Sequence, residues 1–165
     1  MNPVLSTLVE HDAWNEHAGF DTLASEVIAK AVAVTKIKLA QEAEVSLLLC
    51  DDARIREINR EWRHLDKPTN VLSFPAAPRA MLAQSPAVGD IAIAYETVAR
   101  EAQEEGKTFR DHYMHMVLHG FLHLLGYDHE TDAEADEMEA LEIRVLDGLG
   151  VADPYATLDL DVMDE

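Results

Sequence analysis

Three histidines, His119, His123 and His129, lie four and then six residues apart in the segment HGFLHLLGYDH. The first two stand at i and i+4, so their rings share one face of a helix. Two imidazoles one turn apart can reach a common point, as a zinc ion requires of a helix. Gly126, three residues after His123, can end the helix in a left-handed conformation and turn the chain back. That turn brings His129 toward the same point. A tetrahedral metal held by three histidines keeps a fourth position open for water, the catalytic arrangement and not the closed structural one.

The neighbouring residues strengthen this reading. Tyr113, Met116, Val117, Leu118, Phe121, Leu122, Leu124 and Leu125 make the segment apolar almost all round, so the helix is expected to be buried. A buried imidazole needs partners for its nitrogens. A lone histidine here would read as a satisfied core residue, whereas three at this spacing are satisfied together by one metal ion. The skeleton H-x-x-x-H-x-x-G-x-x-H matches metzincin metalloproteases, but their general base is a Glu immediately after the first His. Gly120 occupies that position, so the metal cradle is expected without the protease chemistry. His112 and His115 lie upstream on the same helix. His115 reads as a surface or packing residue, or as a support behind the ligands.

The elements that must position these residues follow from periodicity. Residues 4–10 and 44–50 read as strands, the second of them buried. Residues 20–36 form a helix with Leu23, Val27, Ile28 and Val32 or Val34 inward and Asp21 as a cap. Asp51 and Asp52 cap the helix ARIREINREWR, whose apolar positions are Ile55, Ile58 and Trp62. VLSFP at 71–75 is a short strand ended by Pro75, residues 76–88 are a loop, and GDIAIAY at 89–95 is a further strand. Helices follow at 96–106, 108–126 and from Thr131. In the last of these, Thr131 with Glu134 gives a capping box, and Met138, Leu141, Ile143 or Val145, and Leu146 give the core face. Strands and helices interleave, which indicates an α/β (α+β) class: a small mixed sheet with helices packed on it. A single domain is expected over 1–150, with an acidic, partly disordered tail over 151–165.

With 165 residues, 48% hydrophobic and 27% charged, the chain suits one globular domain. No apolar run spans a membrane and the first residues lack a signal-peptide pattern. Cys50, the only cysteine, closes an apolar run and reads as a buried small hydrophobe. A cytoplasmic location is expected. The net charge of −19 argues against nucleic acid as a partner when taken alone. The charge is uneven, however. Residues 130–165 hold thirteen acids and one arginine, Arg144, whereas 54–67 hold Arg54, Arg56, Arg60, Arg63 and Lys67 against Glu57, Glu61 and Asp66. An anionic substrate would approach from the Arg54–Lys67 side.

HGFLHLLGYDH, preceded by HMV and followed by an acidic helix, resembles the signature of the YbeY family. These are bacterial metal-dependent endoribonucleases of ribosomal RNA maturation and ribosome quality control. WRHLDKPTNVLSFP at 62–75, GDIAIAYETVAREA at 89–102 and AEADEMEALE at 133–142 resemble it as well, so the likeness covers roughly residues 44–150. It implies that His119, His123 and His129 bind the metal, usually taken as zinc, one Zn2+ per chain. It also implies that Arg63 is the arginine used in catalysis. The substrate would be single-stranded RNA in ribosomal RNA precursors, including the 16S 3′ end. The chemistry agrees: a guanidinium fork matches phosphoryl oxygens that gain charge, and a metal polarises the phosphoryl group. Lys67 is a plausible phosphate contact. Asp128 either orients a ligand imidazole or serves as a turn residue. Ser73 and Thr69 are candidates for the cleft lining.

Two other readings compete. A metal hydrolase of peptides or small molecules fits the spacing but lacks the Glu. A non-catalytic zinc-stabilised assembly factor, with its acidic surface on ribosomal proteins or the ribosome, fits the charge but leaves the open metal position without a purpose.

Overall fold

Alternation along two neighbouring strands decides how the helices are arranged. The computed structural model describes residues 2–156. In chain order these form β1 (Val4–Val9), α1 (Phe20–Thr35), β2 (Glu44–Cys50), α2 (Asp52–Arg63), β3 (Val71–Pro75), β4 (Ala87–Ala94), α3 (Tyr95–Glu104), α4 (Phe109–Leu124) and α5 (Asp132–Asp147). The sheet order is β1-β2-β4-β3; the first three strands are parallel and β3 runs antiparallel to β4. This is the small mixed sheet of an α/β chain. Val45, Leu47 and Leu49 of β2 and Ile91 and Ile93 of β4 enter the large core with α1, α4 and α5. The alternate residues Leu48, Cys50, Ala92 and Ala94 meet Ile55 and Ile58 of α2 on the opposite face. Cys50 is fully buried, and burial pushes its thiol up to about 12, so it acts as a packing residue. Among the described residues no helix is long and apolar enough to cross a membrane.

α4 lies at the centre, against β3 and β4 on one side and α1, α3 and α5 on others. Thr108 caps its start by accepting from the Asp111 N–H at 3.0 Å. Gly120 sets its distance from the sheet. A Cβ there would stand 3.0 Å from Ile91 Cγ2 and 3.2 Å from Val71 Cγ2. The position that carries the zincin Glu is therefore pressed against the sheet, with no room for a carboxylate.

Several elements differ from the sequence pattern for identifiable reasons. Asp21 lies inside α1 and accepts from the neighbouring Thr22 N–H, while Gly19 holds the cap position. Residues 76–88 are not all loop: a 3-10 turn at Arg79–Gln84 buries Leu82, and β4 begins at Ala87. In α5 the buried residue is Val145 and not Ile143. Trp62 is 66% exposed and not part of the core. Asn59 takes the inward position instead, with its Nδ2 donating to the Lys67 carbonyl. The last turn of α2 lies by β3, an edge strand, where the sheet offers no further covering surface. The capping box of Thr131 and Glu134 is present at the start of α5. Beyond α5, Val151 is buried and Tyr155 is held by a hydrogen bond to Glu142. The remainder of the acidic tail, 157–165, lies outside the described residues.

Filling the Gly120 position tests this packing. Gly120→Glu is expected to cost about 3 kcal/mol or more, from overpacking and the burial of a carboxylate. Gly120→Ala should cost much less, because alanine recovers about 1 kcal/mol of helix propensity. Denaturant unfolding of the two variants would report this, and an unchanged midpoint for Gly120→Glu would show that α4 stands off the sheet.

Candidate metal centre and facing arginine

The turn after α4 is built by backbone hydrogen bonds around a glycine. Gly126 has φ +97°, its N–H donates to the His123 carbonyl at 3.0 Å, and the Tyr127 N–H donates to the Leu122 carbonyl at 3.1 Å. This pair of bonds is the Schellman closure, which needs a left-handed residue at that point. The chain then reverses and places His129 beside the two helical histidines. Ring centroids of His119 and His123 are 4.7 Å apart, those of His123 and His129 5.0 Å, and those of His119 and His129 5.6 Å.

The donor set fits a metal ion. The Nε2 atoms of His119 and His123 lie 3.2 Å apart, close to the roughly 3.3 Å separation expected for two nitrogens on one tetrahedral zinc. One ligand atom from each of His119, His123 and His129 lies within 4.8 Å of the others. Burial, and then the proximity of His119 and His129, brings His123 down to about 4. Its imidazole is thus neutral and available as a ligand at physiological pH.

A carboxylate that the sequence reading did not single out fixes the tautomer of His119. Glu142 of α5 is 1% exposed. Its Oε2 accepts from His115 Nε2 at 2.7 Å and from His119 Nδ1 at 3.2 Å, and its Oε1 accepts from the Tyr155 hydroxyl at 2.7 Å. Burial alone would raise its pKa, but these hydrogen bonds outweigh burial and hold the carboxyl well below the usual carboxylate range. An ionised carboxylate only accepts, so the His119 proton sits on Nδ1 and the Nε2 lone pair faces His123. His115 is thus buried and supports the ligands from behind through Glu142. His115, His119 and Glu142 form a second cluster whose ligand atoms are as close as those of the three histidines. Its carboxylate is already occupied by three hydrogen bonds, which favours the open trio as the metal position. The signal for Glu142 was its place among apolar neighbours on the inner face of an acidic helix.

The histidines line a cleft of about 530 Å³ together with Arg63, Asn70, Ser73, Tyr127, Asp128 and Glu130. Arg63, at the end of α2, reaches the outer edge of β3. Its Nη2 donates to the Ser73 carbonyl at 2.7 Å and its guanidinium lies 5.0 Å from the Phe74 ring centroid. Ser73 lines the cleft; Thr69 and Lys67 stand outside the lining. Asp128 accepts from the His129 backbone N–H at 2.8 Å, the turn role. The imidazole-orienting carboxylate is Glu142. In the rest of the basic window Arg54 pairs with Glu10 and Glu57, and Arg56 and Arg60 share Asp66, while Lys67 is exposed.

Comparison with known proteins agrees with the likeness read from the motifs. The family model described as Endoribonuclease YbeY matches residues 10–150. A protein named Endoribonuclease YbeY from Methylocella silvestris is 54% identical over 155 residues, 94% of this chain and 87% of the relative. Its namesake from Nitrobacter winogradskyi is 52% identical, covering 93% of this chain and 83% of the relative. That from Rhodopseudomonas palustris is 49% identical, covering 95% and 92%. The solution structure of TM1509 from Thermotoga maritima has a similar fold, with TM-score 0.55 and 24% identity over 88% of this chain and 91% of that one.

Replacing Glu142 with glutamine keeps the shape and removes the charge that holds the His119 proton. Glu142→Gln is expected to weaken zinc binding about 10- to 100-fold while the protein stays folded. Competition against a chromophoric chelator would measure it; unchanged affinity would mean that the carboxylate does not orient His119.

Proposed function

The chain belongs to the YbeY endoribonuclease family, and from that premise we propose that it is a zinc-dependent endoribonuclease that cuts single-stranded regions of ribosomal RNA precursors, including the 16S 3′ end, in the cytoplasm. The observation that carries this reading is that three ligand-competent imidazoles and one arginine line a single cleft. His119, His123 and His129 would hold the metal. When bound, zinc supplies Lewis acidity toward a phosphoryl oxygen and acidifies water at neutral pH.

The protein's own groups account for the remaining requirements. Arg63 is preorganised: the Ser73 carbonyl and the Phe74 ring fix its guanidinium before substrate arrives. Its remaining N–H donors match the phosphoryl oxygens, where negative charge grows in the transition state. A lysine could not serve both the carbonyl and a phosphate in this fork geometry. Gly120 leaves no carboxylate beside the first histidine, which disfavours peptide hydrolysis. Asp128 and Glu130 repel phosphate from the histidine rim, so the RNA backbone enters along the Arg63 side. Lys67, outside the lining, is assigned to a flanking phosphate.

Arg63→Ala is expected to lower kcat/KM for single-stranded RNA by about 100-fold or more, with zinc content and thermal stability unchanged, and Arg63→Lys to recover little. Intact cleavage by Arg63→Ala would favour the assembly-factor reading, in which the metal only ties helix and turn together. Chelation should abolish cleavage and one equivalent of zinc should restore it, whereas His123→Ala should neither bind zinc tightly nor cut. Metal analysis beside end-labelled RNA cleavage checks both, and activity that survives full metal removal would overturn the metal dependence.

A further inference from the structure

Trp62 stands in the open on α2, outside the cleft lining but one residue before Arg63, which does line it. It is 66% exposed, while the chain's other tryptophan, Trp14, is 2% exposed in the core. Its indole meets Phe74 at 6.4 Å between centroids, in an edge-on arrangement. The same Phe74 ring carries the Arg63 guanidinium at 5.0 Å. Sharing that ring, indole and guanidinium lie within about 11 Å of each other, a separation that one or two nucleotides of an extended strand can bridge. α2 thus ends with a cation turned into the cleft and, one residue earlier, a large aromatic surface left in solvent.

The charge distribution gives that surface a purpose. The chain carries −19, and Arg54, Arg56 and Arg60 are already paired with carboxylates. Among the described lining residues, Arg63 is the only permanent cation, against Asp128 and Glu130. Phosphate contacts scale with available cations and fade with salt, and here Arg63 and the flanking Lys67 can supply only a few of them. Stacking on an aromatic face does not depend on net charge and tolerates any base. It does require an unpaired base, because a base in a duplex has no free face.

We propose that Trp62 is a base-stacking platform that receives a nucleobase of single-stranded RNA next to the phosphate held by Arg63. This rests on the ribonuclease reading and adds to it the residue that confers preference for single strands. Affinity then comes mainly from stacking, and the arginine supplies position and charge at the scissile phosphate.

The test uses the zinc-loaded full-length protein and a short fluorescein-labelled, uridine-rich RNA, with binding followed by anisotropy over a potassium chloride series and each reading taken while denaturing gels show the RNA intact. Trp62→Ala is expected to weaken binding about 5- to 150-fold, the range for loss of one stacked base. Trp62→Phe should recover most of it. The slope of log Kd against log salt should not change in Trp62→Ala, because no phosphate contact is lost, whereas Arg63→Ala should flatten it by about 0.7. Native tryptophan fluorescence should quench on binding and lose that response in Trp62→Ala. Because the side chain is exposed, the thermal unfolding of the variant should match that of the native protein. Binding by Trp62→Ala within twofold of native, equal affinity of the native protein for the same sequence in a duplex, or failure of Trp62→Phe to restore binding would each overturn the platform while cleavage by the native protein leaves the ribonuclease reading standing. A native protein that neither binds nor cuts RNA would overturn both.

Discussion

The burial of α4 is the constraint from which the site follows. The helix is enclosed by the sheet and three other helices, yet it carries His112, His115, His119 and His123 along its length. Each imidazole on a buried helix must find a partner or lose the free energy of its hydration. The fold answers with carboxylates brought from elsewhere. Glu101 of α3 meets His112 at 2.9 Å and is itself held by Asn70. Glu142 of α5 serves His115 and His119 together and is braced by Tyr155. Each carboxylate satisfies one ring nitrogen, and Nδ1 of His112 and of His115 stays buried without a partner; toward the open end the rings of His119, His123 and His129 gather around one point. That is where the proposed metal ion would complete the set.

The same burial explains why this metal cradle is not that of a protease. The zincin helix can carry a glutamate after its first histidine only if that side faces the substrate. Here that side is pressed against Ile91 and Val71, closer than even a Cβ would ordinarily be allowed. The opposing functional group comes from across the cleft. It is an arginine whose charge suits a phosphoryl group and which an edge strand can hold through a free backbone carbonyl. β3 is an edge strand, so the Ser73 carbonyl is free to accept Arg63. One strand thereby packs against α4 with Val71 and fixes the Arg63 guanidinium with Ser73.

Charge and function are reconciled locally. A chain of −19 would ordinarily turn RNA away. The paired arginines of α2 show that the basic window in the sequence is not a basic surface. What remains is one oriented guanidinium, the exposed Lys67 and one open indole, the groups on which the proposed preference for unpaired bases rests.

The sequence by itself determined the features that depend on neighbours along the chain. Helix periodicity located α4, i and i+4 spacing placed His119 and His123 on one face, and Gly126 announced the turn that returns His129. The capping box at Thr131 and the Asp51 cap were legible for the same reason, since caps are interactions over three residues. The apolar run of β2 marked a buried strand, and the interleaving of strands and helices indicated a small mixed sheet with helices packed on it. Groups brought together from distant positions were not legible. Glu142 stands 23 residues after His119 and reads as one more acid on an acidic helix until α5 is packed on α4. Trp62 fits the apolar spacing of α2, and only the position of that helix's last turn by an edge strand leaves it exposed. Arg54, Arg56 and Arg60 count as positive charge in the sequence, but their partners Glu10 and Asp66 are set by the tertiary structure. The physical reason is common to all three cases: local hydrogen bonding and periodicity are written in short segments, whereas burial, ion pairing and exposure depend on which surfaces meet.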